Sequence, residues 1–410
     1  MGTGTDEAIV IVGASLAGAK AAEALREAGH DGPVVLLGEE HERPYERPPL
    51  SKGYLLGSTE REKIYVHPPQ WYADHDVTLR LGTTVTAVDP AAHTVTLADD
   101  GRIGYRKLLL TTGSSPRRLP VPGADLPGVH YLRRVEDSER LKEALRPGAR
   151  IVVIGAGWIG LETAAAARAA GAEVTVLESA ELPLLRVLGR EVAEVFAGLH
   201  RDHGVDLRFG VQVESLTGGP GAVTGVRLGD GATVAADAVI VGIGITPNTA
   251  LAEAAGLEID NGVRTDQWLR TSDPDIHAAG DVANAFHPLL GRHIRVEHWA
   301  NALNQPQTAA RAMLGQDAVY DRVPYFFSDQ YDLGMEYTGY VEPEGYDRVV
   351  FRGDVPGREF IAFWLSGGRV LAGMNVNVWD VTDPVRELVR SGRPVDPAAL
   401  ADPARPLTEL

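Results

Sequence analysis

At 410 residues with 44% apolar side chains, the chain is long enough for two or three domains with ample buried core. Its net charge of -17 argues against nucleic acid as a partner, because phosphate backbones reward the opposite sign. Cysteine is absent, which excludes structural disulfides, cysteine-ligated iron–sulfur or zinc sites and any redox-active dithiol.

Residues 9–12 run apolar into Gly13-Ala14-Ser15-Leu16-Ala17-Gly18, then a helical pattern, then the apolar run 34–37 and Glu39. Residues 151–154 run into Gly155-Ala156-Gly157-Trp158-Ile159-Gly160, then a helical pattern, then 174–177 and Glu178. Each copy is strand, glycine turn, helix, strand, acid. That is the dinucleotide fingerprint, in which glycines let backbone N–H groups approach a pyrophosphate and the acid takes ribose hydroxyls. A single such match is weak, since glycines also serve ordinary tight turns. Here the likeness continues: Leu79-Arg80-Leu81-Gly82 recurs as Leu207-Arg208-Phe209-Gly210, and Thr111-Thr112-Gly113 answers Gly242-Ile243-Gly244. Duplication of a whole domain explains this better than chance. Two dinucleotide sites in one polypeptide imply electron transfer between two nucleotides.

The pattern predicts a first Rossmann segment at 1–115, a second Rossmann domain at 116–246, a return to the first at 247–320 and an α+β module at 321–410. A helix is expected from Trp299 through Ala310. In the last module, 359–365 and 369–376 read as a hairpin around Ser366-Gly367-Gly368, followed by a helix near Thr382-Asp383-Pro384 with an N-cap acceptor. The fold class is therefore α/β, with two Rossmann-like dinucleotide domains and a small C-terminal α+β domain in an interface or lid role. No stretch approaches the roughly 18 to 20 apolar residues of a membrane span. The first strand starts too early to leave room for a signal peptide, so a cytoplasmic protein without membrane attachment is expected.

The copies differ after their first acid, where the first carries His41-Glu42-Arg43-Pro44-Tyr45-Glu46-Arg47-Pro48-Pro49-Leu50-Ser51-Lys52. Prolines set a rigid path that ends in a helix at Ser51. Arg47 and Lys52 read either as surface cations or as cations beside a flavin, where positive charge stabilises the electron-rich reduced ring. The insertion separates two otherwise similar domains, which favours the second reading. Glu162, just after Gly160, either complements its helix dipole or pairs with Lys52. Ser15 stands at the middle glycine of the first fingerprint, where strained but intact binding is expected.

Taken together these residues resemble the two-dinucleotide-domain, glutathione-reductase-like flavoprotein reductases, and more narrowly the NADH-dependent ferredoxin reductases of bacterial oxygenase systems. The resemblance spans essentially the whole chain. Its most specific segments are Arg47-Pro48-Pro49-Leu50-Ser51-Lys52, Thr112-Gly113-Ser114-Ser115-Pro116-Arg117, Ala279-Gly280-Asp281 and Glu297-His298-Trp299-Ala300-Asn301-Ala302. It implies FAD on the first fold, with Gly13, Ser15, Ala17 and Gly18 at the pyrophosphate and Glu39 at the ribose. Val85 would touch the adenine end, Arg47, Thr112, Gly113 and Arg133 would reach FAD, and Asp281 would hold the ribityl chain. Lys52 would lie by the flavin N5 near Glu162, and Trp299 at the flavin edge beside the acceptor's docking face. NADH would meet Gly155, Gly157, Ile159, Gly160, Glu178 and the Gly242-Ile243-Gly244 turn. Glu178 favours NADH over NADPH by repelling a 2′-phosphate, a preference that Arg186 could soften.

The implied reaction passes a hydride from NADH to FAD and then single electrons to an iron–sulfur ferredoxin serving an oxygenase. No metal of its own and no acid–base residue is called for. Arg292, His293, Arg295 and His298 could offer a basic patch to an acidic ferredoxin, although scattered surface charges explain them equally well. The alternatives are a flavin NAD(P)H oxidase or quinone or monodehydroascorbate-type reductase, and a redox-sensing scaffold flavoprotein. The family includes both monomers and homodimers.

Overall fold

The computed structural model describes residues 7–410, which separate into two compact units. The first comprises Met1–Glu46, Arg61–Ser115 and Thr246–Pro324; the second comprises Arg47–Glu60, Pro116–Ile245 and Tyr325–Leu410. The proline-rich insertion is thus divided. Its first half stays with the first unit, and Arg47–Glu60 groups with the second.

In the first unit five parallel strands lie in the order Ile276–Ala278, Lys107–Leu110, Ile9–Val12, Val34–Leu37, Val77–Arg80. Parallel strands are covered on both faces, which is why the central ones are apolar without alternation. Helix Leu16–Glu27 covers one face with Ala21, Ala22 and Leu25. Its small side chains also let helix Trp299–Met313 pack beside it through Ala309, Ala310 and Met313. Over the other face lies a three-stranded antiparallel sheet, Val85–Asp89, Thr94–Leu97 and Arg102–Gly104. Val85, Val88, Val95 and Ile103 meet Val10, Val12, Leu108 and Leu110 there.

The second unit repeats this plan with Asp206–Phe209, Glu173–Glu178, Arg150–Ile154, Ala238–Val241 and Val129–His130, again all parallel. Helices Trp158–Ala169 and Arg190–Asp202 lie against it, with Leu161, Phe196 and Leu199 in the shared core. The antiparallel trio Val213–Gly219, Ala222–Leu228 and Thr233–Ala235 supplies Leu216, Val223, Val226 and Val234 to the opposite face. The duplicated plan is present in both sheets, but the edge strand comes from the returning segment in the first unit and from before the first strand in the second.

The C-terminal module is a five-stranded antiparallel sheet ordered Tyr325–Gln330, Leu333–Gly339, Arg369–Val376, Glu359–Ser366, Arg348–Asp354. The expected hairpin turns at Gly367 and Gly368, whose φ values of 55° and 76° suit the tight turns that join twisted antiparallel strands. Strand Glu359–Ser366 alternates faithfully. Phe360, Ala362 and Trp364 join the core of the dinucleotide helices, while Ile361, Phe363 and Leu365 pack under Val385, Leu388 and Leu400. The sheet is therefore buried on both faces, and the expected α+β module shares its core with the second Rossmann fold. Its helix runs Thr382–Ser391, but Val381 occupies the cap and Thr382 instead donates its hydroxyl to Glu336. The Thr-Asp-Pro signal located the helix but misplaced its cap: Thr382 is already the first helical residue, so its hydroxyl is not at the capping position.

Trp364 is fully buried and its Nε1 donates to the Leu188 carbonyl at 3.0 Å. Trp364→Ala should cost about 3–5 kcal/mol, because it opens a cavity and orphans that carbonyl. Urea unfolding checks this, as a lowered midpoint at unchanged slope.

Candidate functional site: two nucleotide cradles and a buried ion pair

In the first unit strand Ile9–Val12 ends at Gly13, where φ is +118°, and helix Leu16–Glu27 begins three residues on. A Cβ on Gly18 would stand 2.0 Å from the Gly13 carbonyl oxygen, and one on Gly13 would stand 2.2 Å from that of Thr111. Both positions are closed to side chains. Ser15 is different. Its φ of -114° and ψ of -164° are ordinary extended backbone at the helix N-cap. The backbone itself is unstrained here, because the middle fingerprint position requires neither the positive φ nor the close approach to protein backbone that the outer two require. Its hydroxyl makes no cap hydrogen bond within the helix, so the first-turn N–H groups keep their outward direction.

Other residues of the first set gather around this turn within the same unit. The Thr111 hydroxyl donates to the Gly13 carbonyl at 2.9 Å. Thr112 and Asn248 exchange hydrogen bonds of 2.9 and 2.8 Å, and Gly113 takes a φ of +67°. Asp281 accepts from the Ser114 hydroxyl at 2.8 Å, and the Gly280 amide donates to Gln305 at 2.8 Å. Ala17 is 7% exposed, Val85 is buried, and Glu39 is exposed two residues past its strand. Trp299 is half-buried at the start of its helix, after His298 at the N-cap.

One expectation here is corrected. Arg295 does not belong to a surface patch: its side chain is only 8% exposed, pairs with Glu297, and directs Nη1 toward the Asp281 carbonyl at 3.4 Å. Its Nε is buried and has no hydrogen-bond partner. Arg292 is exposed and His293 is half-buried.

In the second unit the turn is drawn the same way. Gly155 has a φ of +98°, and a Cβ there would stand 2.4 Å from the Gly242 carbonyl oxygen. A Cβ on Gly160 would stand 2.0 Å from the Gly155 oxygen. Gly157, the counterpart of Ser15, is extended at φ -80°, and its nearest neighbour would be 4.0 Å away. Gly242 comes close to Gly160, whose amide would lie 3.2 Å from an added Cβ, and Gly244 takes a φ of +98°. Ile159 is 42% exposed, unusual for a large aliphatic at a helix start.

Glu178 closes this cradle. Its Oε2 accepts from the Ala156 amide at 2.7 Å, and its Oε1 from the Ala180 amide at 2.8 Å and the Ser179 hydroxyl at 3.1 Å. The carboxylate is thereby pinned beside the glycine turn, as a ribose ligand must be. Arg186 is exposed on the short helix Leu185–Leu188, which follows Leu184 in a left-handed conformation. The Leu184 amide donates to the Ala156 carbonyl at 3.1 Å, which ties that helix to the same turn.

The third feature is an ion pair. Lys52 Nζ lies 2.8 Å from Glu162 Oε1, with the lysine side chain 17% and the glutamate 5% exposed. The expected helix at Ser51 is a 3-10 turn, Pro48–Ser51, leading into the short helix Gly53–Leu56. This turn delivers Lys52 and also Ser51, whose hydroxyl donates to Glu162 Oε2 at 2.5 Å. Ser328 donates to Oε1 at 2.7 Å. Arg47 Nη1 donates to the Arg133 carbonyl at 2.5 Å, which locks the start of the turn onto the loop before helix Val135–Ala144. A carboxylate this buried is tolerable because two hydroxyl donors and one cation replace its water.

Sequence reasoning overlooked Ser51, Ser114, Gln305, Ser328 and Gln330. One signal was available: Phe326, Ser328 and Gln330 share the buried face of strand Tyr325–Gln330, and polar residues on a core face announce a partner.

Two cradles that only glycine can form, each at a helix N-terminus with an acid or carbonyl cluster nearby, fit two dinucleotides. The fold and these turns define a two-dinucleotide-domain reductase. The chain belongs to the pyridine nucleotide-disulphide oxidoreductase family, whose model matches residues 7–306, and residues 325–410 match the reductase C-terminal domain. It is 42% identical to the ferredoxin–NAD(+) reductase component of the anthranilate 1,2-dioxygenase system of Burkholderia cepacia, over 96% of this chain and 97% of that one. It is 40% identical to rhodocoxin reductase of Rhodococcus erythropolis, over 96% of this chain and 92% of that one. The reductase in the crystal structure of the covalent putidaredoxin reductase–putidaredoxin complex superposes with a TM-score of 0.95 at 39% identity, covering 98% of both chains.

The glycine geometry makes a sharp contrast. Gly18→Ala and Gly160→Ala should each cost about 1–3 kcal/mol of overpacking, whereas Ser15→Gly should cost a few tenths. Urea unfolding of the three variants should rank them in that way.

Proposed function

We infer that this protein is an FAD-dependent NADH:ferredoxin oxidoreductase supplying single electrons to an iron–sulfur ferredoxin, which in turn serves an oxygenase. The observation that carries this reading is the pair of glycine-closed cradles in a chain with no cysteine. Disulfide-relay chemistry needs a thiol pair, and thiol-dependent peroxide chemistry needs at least one. The names of the relatives support the same reading, since they describe reductases of ferredoxin-type acceptors.

On this reading Gly13, Ser15, Ala17 and Gly18 present backbone N–H groups to the FAD pyrophosphate, and Glu39 takes the adenosine ribose. Val85 borders the adenine, Arg47 and Arg133 reach the cofactor, Thr112 and Gly113 line its path, and Asp281, held by Ser114, orients the ribityl hydroxyls. Arg295, with Nη1 toward the Asp281 carbonyl and a buried, unpartnered Nε, suits an oxygen-rich ligand. Trp299 borders the flavin edge toward the acceptor.

NADH is held by Gly155, Gly157, Gly160, Gly242 and Gly244, with Ile159 against its apolar surface, Glu178 on the ribose hydroxyls and Arg186 near the adenosine end. Bound flavin supplies the redox chemistry, taking two electrons as hydride and releasing them one at a time. Lys52 supplies fixed positive charge toward the electron-rich ring, and Glu162 holds that ammonium in place. Neither residue needs to exchange a proton for the hydride to pass.

The direct test is to purify the protein with its flavin and titrate NADH-driven cytochrome c reduction with iron–sulfur ferredoxins. Turnover should depend on added ferredoxin and saturate with it. Equal turnover with oxygen or quinone alone would favour a small-acceptor oxidase or reductase. A long-lived NADH complex without turnover would favour a redox-sensing scaffold.

Glu178→Arg should lower kcat/KM for NADH by about ten-fold or more, since two amide hydrogen bonds and both ribose bonds are lost. The same change should raise NADPH use. An unchanged ratio of the two in steady-state assays would remove Glu178 from the ribose site.

A further inference from the structure

Behind the Lys52–Glu162 pair runs a chain of buried polar groups. Ser328 and Gln330 are each 1% exposed and His200 is fully buried, in a neighbourhood otherwise built of Trp158, Phe196, Phe326 and Leu333. Gln330 Nε2 donates to the Ser328 oxygen at 3.2 Å, and His200 Nε2 stands 2.9 Å from Gln330 Oε1. At the far end the Tyr331 hydroxyl lies 3.4 Å from His200 Nδ1, and the Tyr331 ring stacks on His203 with centroids 3.7 Å apart.

The direction of every bond follows from the first. An amide nitrogen only donates, so Gln330 must turn its oxygen to His200, whose Nε2 must then carry the hydrogen. Burial pushes the His200 imidazole down to about 4, with the Gln330 bond opposing, so at neutral pH the ring is uncharged and Nδ1 is left to accept from Tyr331. Ser328, with its oxygen already accepting from Gln330, has its own hydrogen committed to Glu162 Oε1. The chain therefore runs one way, from tyrosine through histidine, glutamine and serine to an anion, and each donor polarises the next.

Core packing does not require this arrangement. Apolar residues would fill strand Tyr325–Gln330 at lower desolvation cost, and buried polar groups at core positions are costly unless fully satisfied. The Glu162 Oε1 that accepts from Ser328 is the same atom that holds Lys52 at 2.8 Å. Without Ser328 the carboxylate keeps Ser51 on Oε2 and Lys52 on Oε1 but loses its one bond from the C-terminal sheet, so carboxylate and ammonium can shift together.

We propose that Ser328, braced by Gln330 and His200, is a positioning residue for hydride transfer: the C-terminal sheet sets where Glu162 holds the Lys52 ammonium. This rests on the reading of Lys52 as the cation that acts on the flavin. It gives the C-terminal module a part in the chemistry of NADH oxidation as well as in packing.

The test uses the flavin-loaded protein with Ser328→Ala, Ser328→Thr, Gln330→Leu and Lys52→Met. Stopped-flow reduction by NADH and the midpoint potential of the bound flavin are measured for each. Ser328→Ala and Gln330→Leu should slow flavin reduction about ten-fold and about three-fold, leave the NADH concentration for half-maximal rate unchanged, and lower the midpoint potential. These are the changes expected when a fixed cation moves away from the reduced ring. Ser328→Thr keeps the hydroxyl and should restore both rate and potential. If Ser328→Ala merely lowers thermal stability while rate and potential stay at the parent values, and Lys52→Met shifts both, the positioning role is overturned and the site reading stands. If Lys52→Met also changes neither, the site reading fails and the positioning role fails with it.

Discussion

The contact between Gly18 and the Gly13 carbonyl, repeated between Gly160 and the Gly155 carbonyl, is the constraint on which the rest of the architecture depends. At both places a Cβ would stand 2.0 Å from a carbonyl oxygen. Only when the helix comes this close does its N-terminus point its free N–H groups and positive dipole end out of the strand's carboxyl end. Thr111 braces the first turn through the Gly13 carbonyl, and Glu178 braces the second through the Ala156 amide. The middle position of each fingerprint carries no such constraint, which is why a serine and a glycine occupy equivalent places.

The second unit does more than repeat the first. Its dinucleotide helix begins with Trp158, which packs edge-on against both Phe196 and Phe326, so the helix is seated between its own domain and the C-terminal sheet. One turn further on, Glu162 points into that seam, where donors arrive from the 3-10 turn and from the C-terminal strand. A carboxylate in an apolar seam is stable only when several groups hold it, and groups that hold it from different elements fix its geometry more firmly than local ones. The cost of burying the charge is thus converted into precision of placement for Lys52.

The family takes its description from disulphide chemistry, yet this chain contains no sulfur that could carry it. The scaffold of paired Rossmann folds survives because it positions nucleotides, a task for backbone amides and glycines that is indifferent to where the electrons go next.

The sequence by itself determined the duplicated strand–turn–helix plan, the two acids, the insertion that carries Lys52, and the C-terminal hairpin at Gly367-Gly368. These depend on periodicity and on φ preferences, which act over a few residues and are written locally. The tertiary structure alone decided the rest. Ser15 took an ordinary extended backbone, set by the strand and helix on either side. Arg295 left the surface because Glu297 and the Asp281 carbonyl fold around it. Thr382 fell inside the helix, with Val381 at its cap, and turned its hydroxyl to Glu336. Ser328 became a partner of Glu162, 166 residues away in sequence, with Gln330 behind it. Hydrogen bonds of buried polar groups are decided by whichever donor or acceptor the packed core brings within about 3 Å, and no local pattern records that.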